Sequence, residues 1–454
     1  MKISVIGLGK LGTPLAAVLA SKGHAVIGMD VNPDYVRLLA SGKAPVEEPG
    51  IQRLVDESRG RLTATTDLEA AVLGSDVSFV IVPTPSDSQG GFSNKYVLSA
   101  ISAIGQALKK KQGYHVVNVT STVMPGSTGG EIRQMLEASS ARSVGKTVGL
   151  CYNPEFVALG SVLRDMLLPD LILVGESDPR AGGVLEDIYR SVCENEPPVV
   201  RMNWVNAELT KISINTYVTT RISYANMLSD ICERLPGADV DVVTAALGAD
   251  SRIGKKYLKG ALGYGGPCFP RDNVAFSHLA RGLGARPDLA EATDRLNRYQ
   301  IERLAAAAIR LLDGGSKVGI LGLSYKVETA VIEESQGLAL AARLSEDRRE
   351  VYVHDPMALS AAMVVLRDKV VPMKLAEECI KAVDVLVITT AWPQYASIPA
   401  SVFARPQARL QILDCWRVLS WEKIAGVADI HYLGVCGPEP LGRRVRAVVS
   451  GQSS

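Results

Sequence analysis

The sequence has almost no net charge, because 49 Lys and Arg residues balance 48 Asp and Glu residues. Without excess positive charge there is no overall field to gather nucleic acid or an acidic membrane surface, and neither is expected as a partner. Long apolar runs are absent too, since no stretch reaches the ~18 residues that span a bilayer. Residues 2–6 enter a strand at once, without a signal-peptide pattern. We therefore expect a cytoplasmic protein.

Paired cysteines are also missing. The seven cysteines are scattered, odd in number and form no CxxC motif: Cys151, Cys193, Cys232, Cys268, Cys379, Cys415 and Cys436. This pattern argues against a disulfide framework and a zinc site, and no metal is expected. In a reducing compartment any one of these thiols can act as a nucleophile.

Aromatic residues make up only 5% of the 454 residues, whereas glycine occurs 41 times. Small residues suit α/β layers, in which helices lie close on a sheet. Short β-branched runs alternate with helical stretches in the first part of the chain, at residues 3–6, 25–29, 77–82, 115–119, 147–152 and 171–174. These runs predict parallel strands of a doubly wound sheet, with ligands at the carboxyl ends of the strands.

The rhythm changes twice along the chain. Residues 206–234 form a helical stretch without Gly or Pro, and helices continue to about residue 312. Near residue 317 strands return, at 318–321, 351–354, 385–389 and 410–413, and residues 317–323 faintly echo the N-terminus. The predicted fold class is α/β, with two Rossmann-like doubly wound domains joined by an all-α middle domain that contains a long central helix. The predicted boundaries are 1–203, 204–312 and 313–436, followed by a basic, loosely ordered tail at 437–454.

A glycine-rich segment follows the first predicted strand and opens a helix: Gly7-Leu8-Gly9-Lys10-Leu11-Gly12. In a βαβ unit the first glycine permits a tight turn, the second lets backbone approach a pyrophosphate, and the third lets helix and strand pack closely. Asp30 ends the next strand, where a carboxylate binds both ribose hydroxyls and repels a 2′-phosphate. The segment therefore predicts NAD as the cofactor rather than NADP.

Polar residues follow two later strands, Thr84 and Pro85 after one and Ser121 and Thr122 after the other. Carboxyl ends of neighbouring strands share one edge of a doubly wound sheet, where ligands bind. These residues either contact the cofactor or cap the helices that follow.

One cysteine differs in its surroundings from the other six. Cys268 lies in Gly-Tyr-Gly-Gly-Pro-Cys-Phe-Pro-Arg-Asp at residues 263–272, which is a loop composition in which backbone can wrap a ligand. Arg271 would favour the thiolate. A buried structural thiol is the usual interpretation of a lone cysteine, and it fits the other six better.

Three further residues have side chains that can donate hydrogen bonds or transfer protons in an active site. Lys211 and Asn215 are four apart and share one face of the long helix, as ordinary surface residues also do. Glu155 follows a strand in Asn153-Pro154-Glu155-Phe156, where it acts either as a base or as an acid at a helix N-terminus.

These segments, together with Gly322-Leu323-Ser324-Tyr325-Lys326, resemble the UDP-glucose/GDP-mannose dehydrogenase family over roughly residues 1–435. The cysteine loop and the Asn-Pro-Glu-Phe segment are the most specific features. The resemblance implies that two NAD molecules in succession oxidise a nucleotide-sugar 6-hydroxyl to a carboxylate. Asn-Pro-Glu-Phe favours UDP-glucose over GDP-mannose or a UDP-N-acetylhexosamine.

The resemblance also implies roles for the catalytic residues. Cys268 would form a thiohemiacetal and then a thioester. Lys211, or a water near Asp272 and Thr122, would take the hydroxyl proton. Lys211 and Asn215 would stabilise the oxyanions, and Glu155 would be the base for thioester hydrolysis.

Substrate contacts are implied for a larger set, spread over all three predicted domains: Glu155, Phe156, Lys211, Asn215, Arg252, Lys259, Tyr264, Gly265, Tyr325, Lys326 and Arg417. Arg252 matches an arginine that reaches the neighbouring subunit's site in relatives. A homodimer built on the long middle helix is therefore implied.

The chain departs from the family pattern at several positions. Glu333-Glu334-Ser335 stands where relatives carry Arg-Glu-Ser, and Ala330 and Val331 replace acidic residues. The other departures are Tyr35, Leu159 and Trp416. We expect retained chemistry with altered cofactor affinity or domain closure. A silent nucleotide-sugar sensor and an alcohol dehydrogenase that uses one NAD are the competing hypotheses.

Overall fold

The computed structural model describes residues 1–406 and 408–436, and the predicted tail at 437–454 lies outside the described residues. Contacts divide the chain into two compact units. The first contains Met1–Ile214 and His278–Leu283, and the second contains Asn215–Ser277 and the described residues from 284 to 436. The three-domain boundaries at 203, 312 and 436 stay a prediction.

The first unit contains an eight-stranded sheet. Its strands are β1 (Lys2–Ile6), β2 (Ala25–Met29), β3 (Leu62–Thr65), β4 (Val77–Val80), β5 (Val116–Val119), β6 (Gly149–Tyr152), β7 (Ile172–Glu176) and β8 (Val199–Met202). Their order in the sheet is β3-β2-β1-β4-β5-β6-β7-β8. From β1 the chain proceeds outward in one direction through β2 and in the other through β4. The loops after β1 and β4 therefore diverge at the carboxyl ends, where doubly wound sheets bind ligands.

Helices cover both faces of this sheet, and two apolar clusters fill the layers between. The helices are α1 (Gly12–Ser21), α2 (Pro33–Ala40), α3 (Ile51–Glu57), α4 (Leu68–Leu73), α5 (Lys95–Lys110), α6 (Arg133–Ser140), α7 (Val162–Leu167) and α8 (Pro179–Val192), with a π-helical turn at Thr128–Ile132. Side-chain hydrogen bonds fix where several of these helices begin. Asp178, for example, accepts hydrogen bonds from two backbone N–H groups at the start of α8, and Pro179 follows in the first turn.

The pairing of β6 with β7 corrects the prediction that all six predicted strands are parallel. These two strands pair antiparallel, with Cys151 opposite Glu176. A strand buried on both faces has the same composition in either direction, so its sequence does not encode its orientation.

Helix α9 (Trp204–Arg234) continues from the first unit into the second, without Gly or Pro over 31 residues. The other helices of this middle region are α10 (Val240–Ala249), α11 (Phe269–Gly282) and α12 (Asp288–Leu311). The break between α11 and α12 contains Gly284 and Pro287, which interrupt what the sequence indicated as a helical region from 273 to 312.

The second unit contains a six-stranded parallel sheet in the order β11-β10-β9-β12-β13-β14, made of β9 (Lys317–Leu321), β10 (Glu350–His354), β11 (Val371–Pro372), β12 (Val385–Ile388), β13 (Gln411–Asp414) and β14 (Asp429–Tyr432). Its helices are α13 (Gln336–Glu346), α14 (Leu359–Leu366), α15 (Ala376–Ala382), α16 (Pro393–Ala396) and α17 (Trp421–Ile424), with 3₁₀ turns at Arg367–Lys369 and Ala400–Val402. The predicted fold class, with two Rossmann-like sheets and a helical middle region, is confirmed.

Candidate active site

The glycine loop between β1 and α1 has the geometry that its sequence predicts. Gly7 has a φ of +104°, and a Cβ there would lie 2.3 Å from the Ile81 carbonyl oxygen. A Cβ on Gly12 would lie 1.8 Å from the Gly7 carbonyl oxygen, whereas a Cβ on Gly9 would meet no atom within 4 Å. Gly7 and Gly12 are therefore required by close backbone packing, and Gly9 faces open space where a ligand's phosphates can approach.

Asp30 lies at the end of β2, beside this loop. Its carboxylate accepts hydrogen bonds from the backbone N–H of Leu8 at 2.6 Å and of Asn32 at 2.8 Å, and the residue is half-buried. A carboxylate next to an open glycine loop at the start of α1 fits the ribose and pyrophosphate of a dinucleotide.

The loops after β4 and β5 are joined by side-chain hydroxyls. Ser121 Oγ accepts from the Val82 N–H at 2.8 Å and donates to the Val82 carbonyl at 2.7 Å. Thr84 Oγ1 donates to the Thr122 carbonyl at 2.8 Å. These hydroxyls therefore bridge neighbouring loops instead of capping helices. Cofactor contacts by Thr84, Pro85, Ser121 and Thr122 stay a prediction.

Glu208 on α9 holds the far end of the loop after β5. The side chain is fully buried and accepts from the N–H groups of Gly126 at 2.6 Å and Thr128 at 2.7 Å. Burial raises the pKa of this carboxyl. Glu208 is not among the residues predicted from the sequence, although it lies three residues before Lys211 on the same helix face, and that spacing could have identified it.

Lys211, Glu155 and Phe156 lie together in the first unit. Lys211 Nζ donates to the Glu155 carbonyl oxygen at 2.7 Å and lies 4.5 Å from the centroid of the Phe156 ring. Burial raises the pKa of the Glu155 carboxyl to about 7, while a hydrogen bond from Tyr189 and the charge of Lys211 oppose that rise. A carboxyl that titrates near neutral pH is suited to act as a general base.

Cys268, Asp272 and Asn215 lie together in the second unit. Cys268 is exposed, whereas the other six cysteines are buried or half-buried. It directly precedes α11, and its carbonyl accepts from the Asp272 N–H at 2.8 Å. Asp272 is 1% exposed and accepts from Asn215 Nδ2 at 2.6 Å. The thiol therefore stands at the surface of a loop that a buried hydrogen bond anchors to α9.

The loop before Cys268 is held by residues 325–334. A Cβ on Gly265 would lie 2.3 Å from the Glu334 carbonyl oxygen, and a Cβ on Gly266 would lie 2.6 Å from the Tyr325 ring. The Gly266 N–H donates to the Glu333 carbonyl at 3.0 Å. The main chain at Glu333 thus supports the cysteine loop, and its side chain is exposed.

Other predicted substrate residues have structural partners in the second unit. The Tyr264 backbone exchanges hydrogen bonds with the Asn297 side chain at 2.8 and 3.0 Å. Arg417 forms a bidentate ion pair with Asp241 at 2.8 and 2.9 Å and also donates to the Gly260 carbonyl. Both residues therefore support residues 259–265, and their substrate contacts stay predictions.

Two more predicted residues lie on or near the surface. The Arg252 side chain is 86% exposed and pairs with Asp250 at 2.6 Å. Lys259 Nζ lies 6.0 Å from the centroid of the Trp416 ring. Tyr35 and Leu159, which depart from the family pattern, pack half-buried against the first unit's core. The predicted effect of these departures on cofactor affinity stays a prediction.

Sequence models of three domains of one family match the chain. The NAD binding domain of the UDP-glucose/GDP-mannose dehydrogenase family matches residues 1–193, the central domain matches residues 205–299, and the UDP binding domain matches residues 319–420. The chain belongs to this family.

Relatives within the family are similar over most of their length. UDP-glucose 6-dehydrogenase AglM of Haloferax volcanii is 34% identical, over 88% of this chain and 93% of its own. GDP-mannose 6-dehydrogenase of Pseudomonas aeruginosa is 33% identical, over 78% of this chain and 81% of its own. The solved UDP-glucose dehydrogenase of Pyrobaculum islandicum has a TM-score of 0.87 at 34% identity and covers 96% of this chain and 98% of its own.

The chain is accordingly an NAD-dependent oxidoreductase of the nucleotide-sugar dehydrogenase family. The predicted family and the predicted cofactor are confirmed. Among residues 1–406 and 408–436, no helix has the length and apolar character needed to cross a membrane.

Proposed function

We propose that this enzyme oxidises the C6 hydroxyl of UDP-glucose to a carboxylate, forming UDP-glucuronate through a covalent intermediate on Cys268. The exposure of Cys268 on a loop anchored by Asp272 and Asn215 carries the proposal. Of the seven thiols, this one combines an exposed position with a Gly/Pro-rich loop, and a nucleophile needs such access.

NAD, when bound, supplies the hydride acceptor for each of the two oxidations. The residues that would hold it surround the carboxyl ends of the first sheet: Gly7, Leu8, Gly9, Lys10, Leu11, Gly12, Asp30, Thr84, Pro85, Ser121 and Thr122. The open face at Gly9 and the carboxylate at Asp30 support this assignment.

Residues of the chain remove the proton, form the covalent bond and stabilise the negative charge. Lys211, or a water held near Asp272 and Thr122, takes the proton of the sugar hydroxyl. The Cys268 thiolate adds to the aldehyde carbon, so the aldehyde stays attached to the protein between the two oxidations. Lys211 and Asn215 donate hydrogen bonds to the oxygen that becomes negative. Both lie on α9 and are held by hydrogen bonds to their own neighbours.

Glu155 completes the reaction as the base for hydrolysis of the thioester. It takes a proton from water while the oxygen attacks the thioester carbon and the Cys268 thiolate leaves. A pKa near 7 supports this role, because such a group accepts a proton at neutral pH and releases it again.

UDP-glucose is proposed as the substrate because two similar proteins are named for it. UDP-glucose 6-dehydrogenase AglM of Haloferax volcanii is 34% identical to this chain. The solved UDP-glucose dehydrogenase of Pyrobaculum islandicum superimposes on it with a TM-score of 0.87. The residues proposed to surround the substrate are Glu155, Phe156, Lys211, Asn215, Arg252, Lys259, Tyr264, Gly265, Tyr325, Lys326 and Arg417.

We also propose a homodimer that forms through α9. Large apolar side chains at helical spacing are exposed along this helix, at Val205, Leu209, Tyr217, Tyr224, Met227 and Ile231. Such a stripe on a long helix suits a second copy of the same helix. Sedimentation at several concentrations tests this proposal, and a monomer throughout would contradict it.

The decisive experiment measures NADH formed per UDP-glucose consumed, together with the sugar acid produced. We expect two NADH per sugar, and no acid from Cys268→Ser. Cys436→Ser is the matched control, because this thiol is half-buried and far in sequence from the loop. One NADH per sugar would identify a simple alcohol dehydrogenase. Activity with GDP-mannose or a UDP-N-acetylhexosamine alone would change the substrate, and binding without NADH would identify a sensor.

A further inference from the structure

Tyr189 connects two polar groups in the interior of the first unit. The residue lies on α8, is 5% exposed, and its ring packs in the main apolar cluster of that unit. Its hydroxyl lies within hydrogen-bond distance of Asn153 Oδ1 and, at 3.2 Å, of Glu155 Oε1. The Asn153 amide has a fixed orientation, because its Nδ2 donates to the Leu173 carbonyl at 2.9 Å. Tyr189 thus faces two acceptors.

A phenol carries one hydrogen, so the two acceptors compete for it. When Glu155 is ionised, the Tyr189 hydroxyl donates to the carboxylate. When Glu155 is protonated, its own O–H can donate to the phenol oxygen, and the phenol hydrogen turns to Asn153. In both states the Glu155 carboxyl and the Tyr189 hydroxyl keep a hydrogen bond to each other, which avoids the cost of leaving either one unpaired.

We propose that Tyr189 is a positioning residue for Glu155, and that it stabilises the carboxylate and accommodates the acid as the proton arrives from water during thioester hydrolysis. This inference rests on the proposed function, in which Glu155 is the hydrolytic base. Tyr189 acts through Glu155 and carries no proton away itself.

The other titratable groups facing Glu155 come from two elements. Lys211 on α9 binds the Glu155 carbonyl, and its charge lowers the pKa of the carboxyl. Cys193, directly after α8, has a pKa raised to about 11, chiefly by burial and also by the charge of Glu155. Burial also holds the pKa of Tyr189 well above its ordinary value. Tyr189 and Cys193 therefore stay neutral while Glu155 titrates near pH 7.

Two substitutions are expected to move the titration of Glu155 in opposite directions. Tyr189→Phe keeps the packed ring but removes the donor, so the carboxylate loses stabilisation and its pKa rises. Asn153→Ala removes the competing acceptor, so the phenol donates to Glu155 alone and the pKa falls. General damage to the fold would not produce shifts of opposite sign.

The test is single-turnover hydrolysis of the Cys268 thioester from about pH 5 to pH 9, followed by mass spectrometry. Compared with wild type, we expect Tyr189→Phe to hydrolyse about three- to tenfold more slowly on the acidic limb and to match it at the alkaline plateau. Tyr114→Phe is the matched control. It removes a tyrosine–carboxylate hydrogen bond, to Asp178, in the same unit and should leave the profile unchanged.

Three outcomes overturn the proposal. They are an unshifted limb in Tyr189→Phe, a loss of equal size at every pH, and a further shift when Tyr189→Phe is added to Glu155→Gln. If Tyr189→Phe does not fold, the direction of the Asn153→Ala shift decides alone. A wild-type enzyme that forms no thioester would overturn the proposed function itself, whereas a wild-type thioester with an unshifted variant overturns only the role of Tyr189.

Discussion

Each of the two Rossmann-like sheets has a pair of glycines in close contact after its first strand, but the two pairs differ in how far apart the glycines lie in the chain. Gly7 and Gly322 both have positive φ after the first strand of their sheet. A Cβ on Gly12 would lie 1.8 Å from the Gly7 carbonyl, and one on Gly337 would lie 2.1 Å from the Gly322 carbonyl. The glycines of the first pair are 5 residues apart in the chain and those of the second pair 15. The second sheet therefore keeps the close helix–strand contact and inserts residues within it.

The carboxylates at the second strand of each sheet show what this insertion changes. Asp30 accepts two backbone hydrogen bonds and stays half-buried. Asp355 is 3% exposed and accepts from the backbone of four residues, namely Leu323, Ser324, Met357 and Ala358. The Asp30 carboxylate remains partly accessible to a ligand, whereas the Asp355 carboxylate is buried and binds the backbone of the inserted loop. That loop carries Tyr325 against the cysteine segment.

The largest loss of stability is expected from added bulk at Gly12 and Gly337, the glycines at the start of α1 and α13. We expect Gly12→Val and Gly337→Val each to lower the free energy of unfolding by about 3 kcal/mol or more, because the added atoms collide with backbone. Chemical denaturation measures this. Gly9→Ala is the control and should change little, since its Cβ would lie in open space. A stable Gly337→Val would mean that the second sheet does not need this contact.

Exchanging the carboxylates separates ligand binding from folding. Asp355→Ala should lower the free energy of unfolding by about 2–3 kcal/mol, because several buried N–H groups lose their acceptor, and should leave NAD affinity nearly unchanged. Asp30→Ala should weaken NAD binding about tenfold or more with a smaller loss of stability. Calorimetric titration with NAD and thermal unfolding measure the two effects. Equal effects of both substitutions on NAD binding would remove the distinction.

The pH dependence of stability provides a third comparison. In the fold, the pKa of Glu155 is about 7, above its ordinary 4.5. Its contribution to stability is therefore fully present below about pH 4.5 and is lost as pH rises through 7. Glu155→Gln should then gain stability relative to wild type above pH 7 and match it below about pH 4.5, as measured by thermal unfolding.

Asp414 in the second sheet is the contrasting residue. Burial raises the pKa of this carboxyl too, but it accepts from the backbone N–H groups of Trp416 and Leu419. Asp414→Asn should destabilise the protein even at alkaline pH, because an amide cannot accept both bonds as well. If Asp414→Asn stabilised the protein above pH 7, the ionised carboxyls of Asp414 and Glu155 would affect stability in the same way.

The smallest expected effects concern the hydroxyls that join neighbouring loops in each sheet. Ser121 bridges to Val82, and Thr390 donates to the Ser324 carbonyl at 2.9 Å. Ser121→Ala and Thr390→Val should each cost about 1 kcal/mol of unfolding free energy. Only Ser121→Ala should also weaken NAD binding, and an unchanged affinity would argue against a cofactor role for this loop.

Features that depend on local chemistry can be predicted from the amino-acid sequence. The glycine loop at residues 7–12, the acid at Asp30, the uninterrupted helix α9 and the exposed cysteine loop each follow from residues that are neighbours in the chain. The family resemblance rested on these same segments. The strands β3, β8, β11 and β14 were not predicted, because each has at most four residues and lies at the edge of its sheet, where one neighbouring strand supplies its hydrogen bonds.

The tertiary structure is the source of the features that join distant segments. It pairs β6 with β7 antiparallel, places Gly337 against Gly322, and directs Tyr189 to a carboxyl 34 residues away. It also assigns Arg417 to an ion pair with Asp241 across 176 residues. Such contacts depend on where the sheets bring their loops together, and no local pattern records that. The fingerprint of the second sheet is therefore only a faint echo in sequence, while its backbone contact is intact.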